Sequence, residues 1–313
     1  MDTDALDYDL PPELIAQRPL ERRDSSRLLV HRLESGRTEH REFAELPDLL
    51  GGELVVVNET RVVPARLRLT RATGGVVEVL LVERRESTGL WEVLARPSRR
   101  LRAGERLGPV ELVERLGGGR WLALLEGEPD GEMPLPPYIH ERLSDPERYQ
   151  TVYARDAGSA AAPTAGLHLT PELLERLAPA RVTLHVGLDT FRPVTSLTLE
   201  RHPMHGERYE VAPEEWERIS GAKRVLAVGT TTVRALETVV RTGELSGRTS
   251  LFITPGFEFR RVDALLTNFH LPRSTLLALV MAFVGVERTR ELYRAAIAER
   301  YRFYSFGDAM LVL

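Results

Sequence analysis

Three histidines stand in loops whose other residues are small or hydroxylic, the company a proton-transfer site keeps. His168 lies in AAPTAGLHLT, residues 161–170, just ahead of a helix-starting Thr170-Pro171. The small residues around it include Thr164 and Gly166. His185 lies in VTLHVGLDTF at 182–191, with Gly187, Asp189 and Thr190 following where a strand should end. His270 lies in TNFHLPRSTLLALV at 267–280, with Asn268 before it and Ser274 and Thr275 in the first turn of a Pro272-led helix. Imidazole titrates near neutrality and moves protons in both directions, typically contributing ~10²–10⁴-fold in rate. A fourth stretch, VLAVGTTTVRALE, runs from an apolar run through Gly229 into a helix capped by Thr230, Thr231 and Thr232, with Arg234 following. Such a junction faces free N–H groups and the positive end of a helix dipole outward, which suits a carboxylate or phosphate. Three of these stretches also have a plainer reading: a hydrogen-bonded core histidine at 185 with a turn-forming Asp189, a loop histidine at 270 before a buried helix, and an ordinary N-cap at Gly229.

Several chemistries are excluded or disfavoured. The chain has no cysteine, which removes thiolate nucleophiles, disulfides, zinc–sulfur sites and iron–sulfur clusters. No lysine follows Gly229 as a Walker loop requires, and no GxGxxG occurs. No serine–histidine–aspartate pattern suggests a covalent path. His202 and His205 are three apart, but Pro203 between them argues against the helix that would align them, so no metal site is expected. The residues alone point to an α/β enzyme doing acid–base chemistry on an anionic or nucleoside-like ligand. A non-catalytic RNA-binding barrel protein and a sugar-phosphate isomerase or lyase remain open at this point.

The elements that must position these residues follow from pattern and charge. At 313 residues, 42% hydrophobic and 28% charged, the chain is expected to hold a large core and two domains. From about 65 to 128 short β-like stretches (RLRLT, VVEVLLVE, LWEVLA, VELVE, RWLALLE) alternate with glycine and proline turns, predicting a small antiparallel barrel. Around it, LVVV (54–57), VTLHV (182–186), VLAV (225–228), LFIT (251–254) and the closing AMLVL read as buried strands between helices such as PELLERLA and TTVRALETVV. The prediction is a mixed-sheet α/β domain, residues 1–60 and 135–313, interrupted by an inserted β-barrel domain at 61–134. Between 61 and 106 there are eleven arginines against five glutamates, so this segment is +6 although the chain is −4. A basic module on an acidic body is suited to RNA phosphates. The acidic opening MDTDALDYDL lacks a signal peptide's basic and apolar regions, and LLALVMAFV (276–284) is well short of the ~20 residues of a membrane span. A soluble cytoplasmic protein, acting as a monomer without membrane contact, is expected.

Read together, LPPELIAQRP with SSRLLV, NETRVVPARL, PLPPYI, RYQTVYA with GSAAAPTAGLHLT, VTLHVGLDTFRPV, HPMHGERYEV, VGTTTVRALE, TNFHLPRSTLLALV and YRFYSFGDAML resemble one family, the S-adenosylmethionine:tRNA ribosyltransferase-isomerases of queuosine biosynthesis. The blocks run in order from near residue 8 to residue 311. The chain departs from the family pattern at Glu59 (more often Asp or Asn), Leu169 (Phe), Asp189 (Gly) and Phe306 (Tyr). The resemblance implies transfer and rearrangement of the ribosyl part of S-adenosylmethionine onto 7-aminomethyl-7-deazaguanine at the wobble position of tRNA, releasing adenine and methionine. It implies S-adenosylmethionine as co-substrate and no metal or redox cofactor. On that footing His168, His185 and His270 share the proton transfers. Thr164, Gly166, Gly187, Asp189, Thr190 and Asn268 approach the nucleoside, and Thr230, Thr231 and Arg234 take the methionine carboxylate or an RNA phosphate. Arg61, Arg66, Arg99 and Arg100 hold RNA, with Arg61 and Arg66 also able to reach the cleft.

Overall fold

The short apolar runs become strands buried on both faces. A computed structural model describes every residue except 86–87, 188–189, 191–192 and 205. In chain order the first strands are β1 (Arg27–His31), β2 (Thr38–Glu42), β3 (Leu54–Asn58) and β4 (Thr60–Val62). Next come β5 (Arg66–Thr70), β6 (Val76–Arg84), β7 (Trp91–Arg96), β8 (Arg106–Leu107), β9 (Val110–Gly117) and β10 (Arg120–Leu125). The remainder are β11 (Asp156–Ser159), β12 (Ala180–Leu184), β13 (Glu207–Glu210), β14 (Val225–Val228), β15 (Ser246–Thr249), β16 (Ala264–Asn268) and β17 (Ala309–Val312). The helices are α1 (Leu46–Leu49), α2 (Pro171–Leu177), α3 (Pro213–Gly221), α4 (Thr230–Thr242), α5 (Thr275–Val284) and α6 (Val286–Ala298).

Nine strands form one mixed sheet in the order β15-β13-β12-β3-β14-β16-β17-β1-β2. Its centre, β12, β3, β14 and β16, is parallel. The closing strand β17 lies inside the sheet, antiparallel to β16 and parallel to β1. Alternate residues serve opposite cores. Val56, Ala227 and Leu265 pack with Leu236 and Val239 of α4 and Leu277 of α5. Val55, Val57, Leu226 and Leu266 pack on the other face with Leu46 and Leu173 of α1 and α2. Burial on both faces is why these strands read as continuous apolar runs.

Strands β5 to β10 form a separate antiparallel sheet, ordered β5-β6-β7-β10-β9-β8, around a core that includes Val79, Leu81, Val93 and Trp121. Its edges nearly meet. Arg71, just past β5, pairs with Glu105, just before β8, at 2.6 Å, and a Cβ on Gly108 would lie 3.6 Å from Leu69. The result is a nearly closed barrel interrupting a mixed α/β fold. Between the two, β4 pairs in parallel with β11, and Arg66 bridges to Glu132.

Three local expectations need correction. LFIT at 251–254 is not a strand; Leu251, Phe252 and Ile253 line a cleft, and the neighbouring Ser246–Thr249 forms the sheet edge. The apolar run reflects a cavity wall. His185 lies just beyond β12, which ends at Leu184, although its N–H still reaches the Arg208 carbonyl at 2.9 Å. The helix after His270 starts at Thr275. Arg273 adopts φ +54° and cannot continue a helix back to Pro272, so Ser274 is the N-cap, accepting from the Leu277 N–H at 3.1 Å.

Candidate active site

Parallel strands deliver their carboxyl ends to one side of a sheet, where α/β proteins commonly bind ligands. Here the ends of β12, β14 and β16 release His185–Gly187, Gly229–Thr231 and His270 onto adjoining spaces. The larger is an open cleft of about 1130 Å³, lined by His185, Gly187, Thr190, Thr230, Thr231 and Arg234. A smaller hollow of about 380 Å³ is lined by Thr164, Thr190, Thr230, Thr231, Asn268 and His270. Val186, Thr190, Thr230, Thr231 and Leu276 line both, so the two adjoin. The barrel closes the far side of the cleft with Val82, Glu83, Glu92 and Arg120.

Two buried asparagines hold the strand ends together. Asn58 accepts from the N–H groups of Leu184 (3.0 Å) and Thr60 (3.2 Å) and donates to the Leu184 carbonyl (2.9 Å) and Thr231 Oγ1 (3.3 Å). It thereby fixes the start of α4 against the end of β12. Asn268 accepts from Thr164 Oγ1 at 3.1 Å and donates to the Asp308 carbonyl at 3.3 Å and His168 Nε2 at 3.2 Å.

That geometry sets the state of His168. Because the Asn268 amide must donate to a carbonyl, its other contact is also a donation, so His168 Nε2 is the acceptor and Nδ1 carries the proton, facing Ser26 Oγ at 2.9 Å. Burial pushes the ring's pKa down to about 4. The ring packs on Phe43 with centroids 4.9 Å apart and lies behind Asn268, outside the lining of the hollow.

His270 does line the hollow. Its Nε2 meets Thr267 Oγ1 at 2.7 Å, its N–H donates to Tyr293 Oη at 3.0 Å, and its carbonyl accepts from Tyr8 Oη. Burial pushes its pKa down to about 3, so the imidazole is neutral at physiological pH. His185 faces the cleft with Nδ1 3.2 Å from Thr60 Oγ1 and Nε2 3.7 Å from an Asp156 carboxylate oxygen. Desolvation lowers its pKa, and Asp156 opposes that shift.

Arg234 is already engaged. Its guanidinium donates to the Glu207 carboxylate and to the carbonyls of Leu251 (2.9 Å) and Thr249 (3.3 Å). Glu207, buried in the cleft wall, also accepts from the Gly187 N–H at 2.9 Å and faces Thr190 Oγ1 at 3.4 Å. The pair is therefore neutral overall, with the carboxylate on the cavity. Gly166 is small for a local reason: a Cβ there would fall 1.9 Å from Tyr153 Oη. Asp189 lies outside the described residues.

The four arginines expected to hold RNA separate into two pairs. Arg99 and Arg100 are exposed on the turn after β7. Arg61 pairs with Glu147 at 2.7 Å, and Arg66 donates to the Leu135 carbonyl at 3.4 Å. Sequence reasoning missed Glu207, Asn58 and Ser26. Glu207 stood in the quoted HPMHGERYEV block, but nothing in the spacing marks its carboxylate as buried against Arg234. Among the described residues no group of three or more His, Asp or Glu could hold a metal ion.

A mixed sheet with an inserted barrel, and imidazoles, threonines and a paired carboxylate gathered at its strand ends, define an α/β protein with a cleft whose groups are suited to moving protons. The chain belongs to the family described as queuosine biosynthesis protein, which it matches over residues 3–312. It is 55% identical over 329 residues to the S-adenosylmethionine:tRNA ribosyltransferase-isomerase of Rubrobacter xylanophilus, covering 100% of this chain and 98% of the relative. The Moorella thermoacetica protein of the same name is 52% identical over 345 residues, with 100% of both chains covered. The crystal structure of S-adenosylmethionine tRNA ribosyltransferase from Thermotoga maritima aligns with a TM-score of 0.58 and 40% identity, covering 99% of this chain and 100% of that one.

Proposed function

We propose that the protein transfers and isomerises the ribosyl moiety of S-adenosylmethionine onto 7-aminomethyl-7-deazaguanine at the tRNA wobble position, giving epoxyqueuosine-tRNA, adenine and methionine. The observation that carries this reading is identity of about half the residues, over the full length, to relatives of that name. The sulfonium acidifies the adjoining ribose methylene, so a base removes a proton there. Adenine then needs a proton donor as it leaves, and the attacking amine must lose a proton.

The two imidazoles on the cavities, His185 and His270, take these proton steps. His168 acts through Asn268, holding its amide against Thr164. With Arg234 committed to Glu207, the anion-binding part falls to the N–H groups of Thr230 and Thr231 at the start of α4. Glu207, although paired with Arg234, presents carboxylate oxygen to the cleft, which a sulfonium can approach. S-adenosylmethionine is consumed as a co-substrate, and no metal or redox cofactor takes part; EDTA is expected to leave turnover unchanged. We place the enzyme in the cytoplasm, working on tRNA as a monomer. Among the described residues no helix is long and apolar enough to cross a membrane. Incubation with S-adenosylmethionine and tRNA bearing the aminomethyl base tests the reading: adenine and methionine should appear in equal amounts with the modified RNA. Their absence overturns it.

A further inference from the structure

A second open cavity, of about 1100 Å³, lies where the barrel meets the α/β body, and His185 stands on its boundary with the cleft. Glu83, Gly158, His185 and Arg208 line both spaces. Gly158 lets the backbone of β11 approach the His185 ring closely on this boundary: its φ is +150°, and a Cβ there would come within 2.8 Å of His185 Nδ1. The other walls include Arg84 and Trp91 from the barrel, Glu128 and Pro129 beyond β10, and Ala157 of β11. Thr230 and Thr231, at the helix start, line only the cleft and its hollow.

Joining a nucleoside fragment to an amine on RNA requires two seats that meet at a group able to move a proton. We propose that this second cavity seats the acceptor base of the RNA, which enters between barrel and body and presents its amine past His185. The assignment rests on the reading above that the acceptor is a deazaguanine bearing an aminomethyl group. Such a base offers N1–H and N2–H₂ donors along its pairing edge and a protonated amine, a set that carboxylates accept. Glu83 gives one oxygen to Arg248, and its other oxygen makes no hydrogen bond among the described residues. Glu128 is exposed and forms no ion pair among them. Trp91, a barrel-core residue only 9% exposed, contributes a small aromatic surface to the wall, and exposed Arg84 stands at the rim, where a flanking phosphate passes. Unpaired bases in RNA loops are commonly splayed out and recognised in this manner, by stacking and by their edges.

Ala157→Phe tests the assignment, because Ala157 is exposed and lines the second cavity alone. Calorimetry should give a Kd for S-adenosylmethionine within about twofold of the unchanged protein. The Kd for an anticodon stem-loop carrying the aminomethyl base should rise about tenfold, to that of the same stem-loop carrying guanine. Glu83→Gln should narrow the same preference between the two stem-loops. If Ala157→Phe keeps the preference, loses S-adenosylmethionine instead, or if the unchanged protein shows no preference, the proposal is wrong. If the preference exists and Ala157→Phe removes it while neither protein releases adenine, the base seat stands and the reading of the reaction falls.

Discussion

At the residue scale, His168 separates two kinds of role that sequence could not distinguish. A histidine among small residues looks the same whether it touches substrate or holds a neighbour. Its Nε2 accepts from Asn268, so its contribution is an acceptor at one position. Glutamine supplies an acceptor near that position, and leucine supplies none. His168→Leu should destabilise the fold by ~1–3 kcal/mol, the cost of leaving one buried Asn268 N–H unsatisfied, and lower kcat about 10–100-fold by letting Asn268 shift, with S-adenosylmethionine affinity changed only about threefold. His168→Gln should recover most of that loss. Equal loss in the two variants would mean that the imidazole itself carries a proton. A second consequence concerns acid. His168 and His270 have pKa values pushed down to about 4 and about 3, whereas an unfolded histidine titrates near 6.5. Below pH 6.5 the unfolded chain binds protons that the native one refuses, so stability is full above that pH and falls as pH drops toward 4 and then 3. Melting temperature should decline over that window, and His168→Gln should make the decline shallower. A slope unchanged by the substitution would show that His168 is not one of the groups responsible.

At the element scale, the legible parts were those where one residue type has one cause. VLAV followed by Gly229 and three threonines announces a strand, a turn and a helix, and β14 and α4 form there. LFIT carries the same apolar signal yet lines a cavity, because burial against a cleft wall and burial in a sheet select the same side chains. Strands β13 (ERYE) and β15 (SGRT) were illegible for other reasons: β15 is the sheet edge, where side chains are free to be polar, and in β13 beside it the polar Glu207 is buried against Arg234. Gly229 is the junction on which the candidate site depends, with φ +88°, and an added Cβ would meet Ala165 Cβ only at 3.7 Å, an ordinary contact. The cost of Gly229→Ala is therefore backbone strain, about 1–3 kcal/mol, because φ +88° with ψ +152° is a region that only glycine occupies readily. Melting should fall a few degrees, and the tilt forced on the start of α4 should raise the KM for S-adenosylmethionine. A variant that melts lower with that KM unchanged would detach the helix start from the ligand.

At the scale of the whole molecule, the barrel's charge is where sequence counting most needed coordinates. Eleven arginines between 61 and 106 do not make eleven phosphate contacts. Arg71, Arg85 and Arg106 pair with Glu105, Glu92 and Glu126, and Arg61 pairs with Glu147 across to the segment beyond the barrel. Arg66 is turned toward a backbone carbonyl. What remains exposed and without an ion-pair partner among the described residues is Arg68, Arg84, Arg96, Arg99, Arg100 and Arg102. Each phosphate neutralised changes the slope of log affinity against log salt by about 0.9 for duplex contacts or about 0.7 for single strands. If Arg99 and Arg100 each hold one phosphate, Arg99→Ala/Arg100→Ala should flatten that slope by about 1.4–1.8, and weaken modified and unmodified tRNA alike. Arg61→Ala should leave the slope nearly unchanged, because losing an exposed pair with Glu147 releases no counterions from RNA. A slope that stays the same in the double variant would put the RNA on another face of the molecule, with the barrel serving only to wall the cleft.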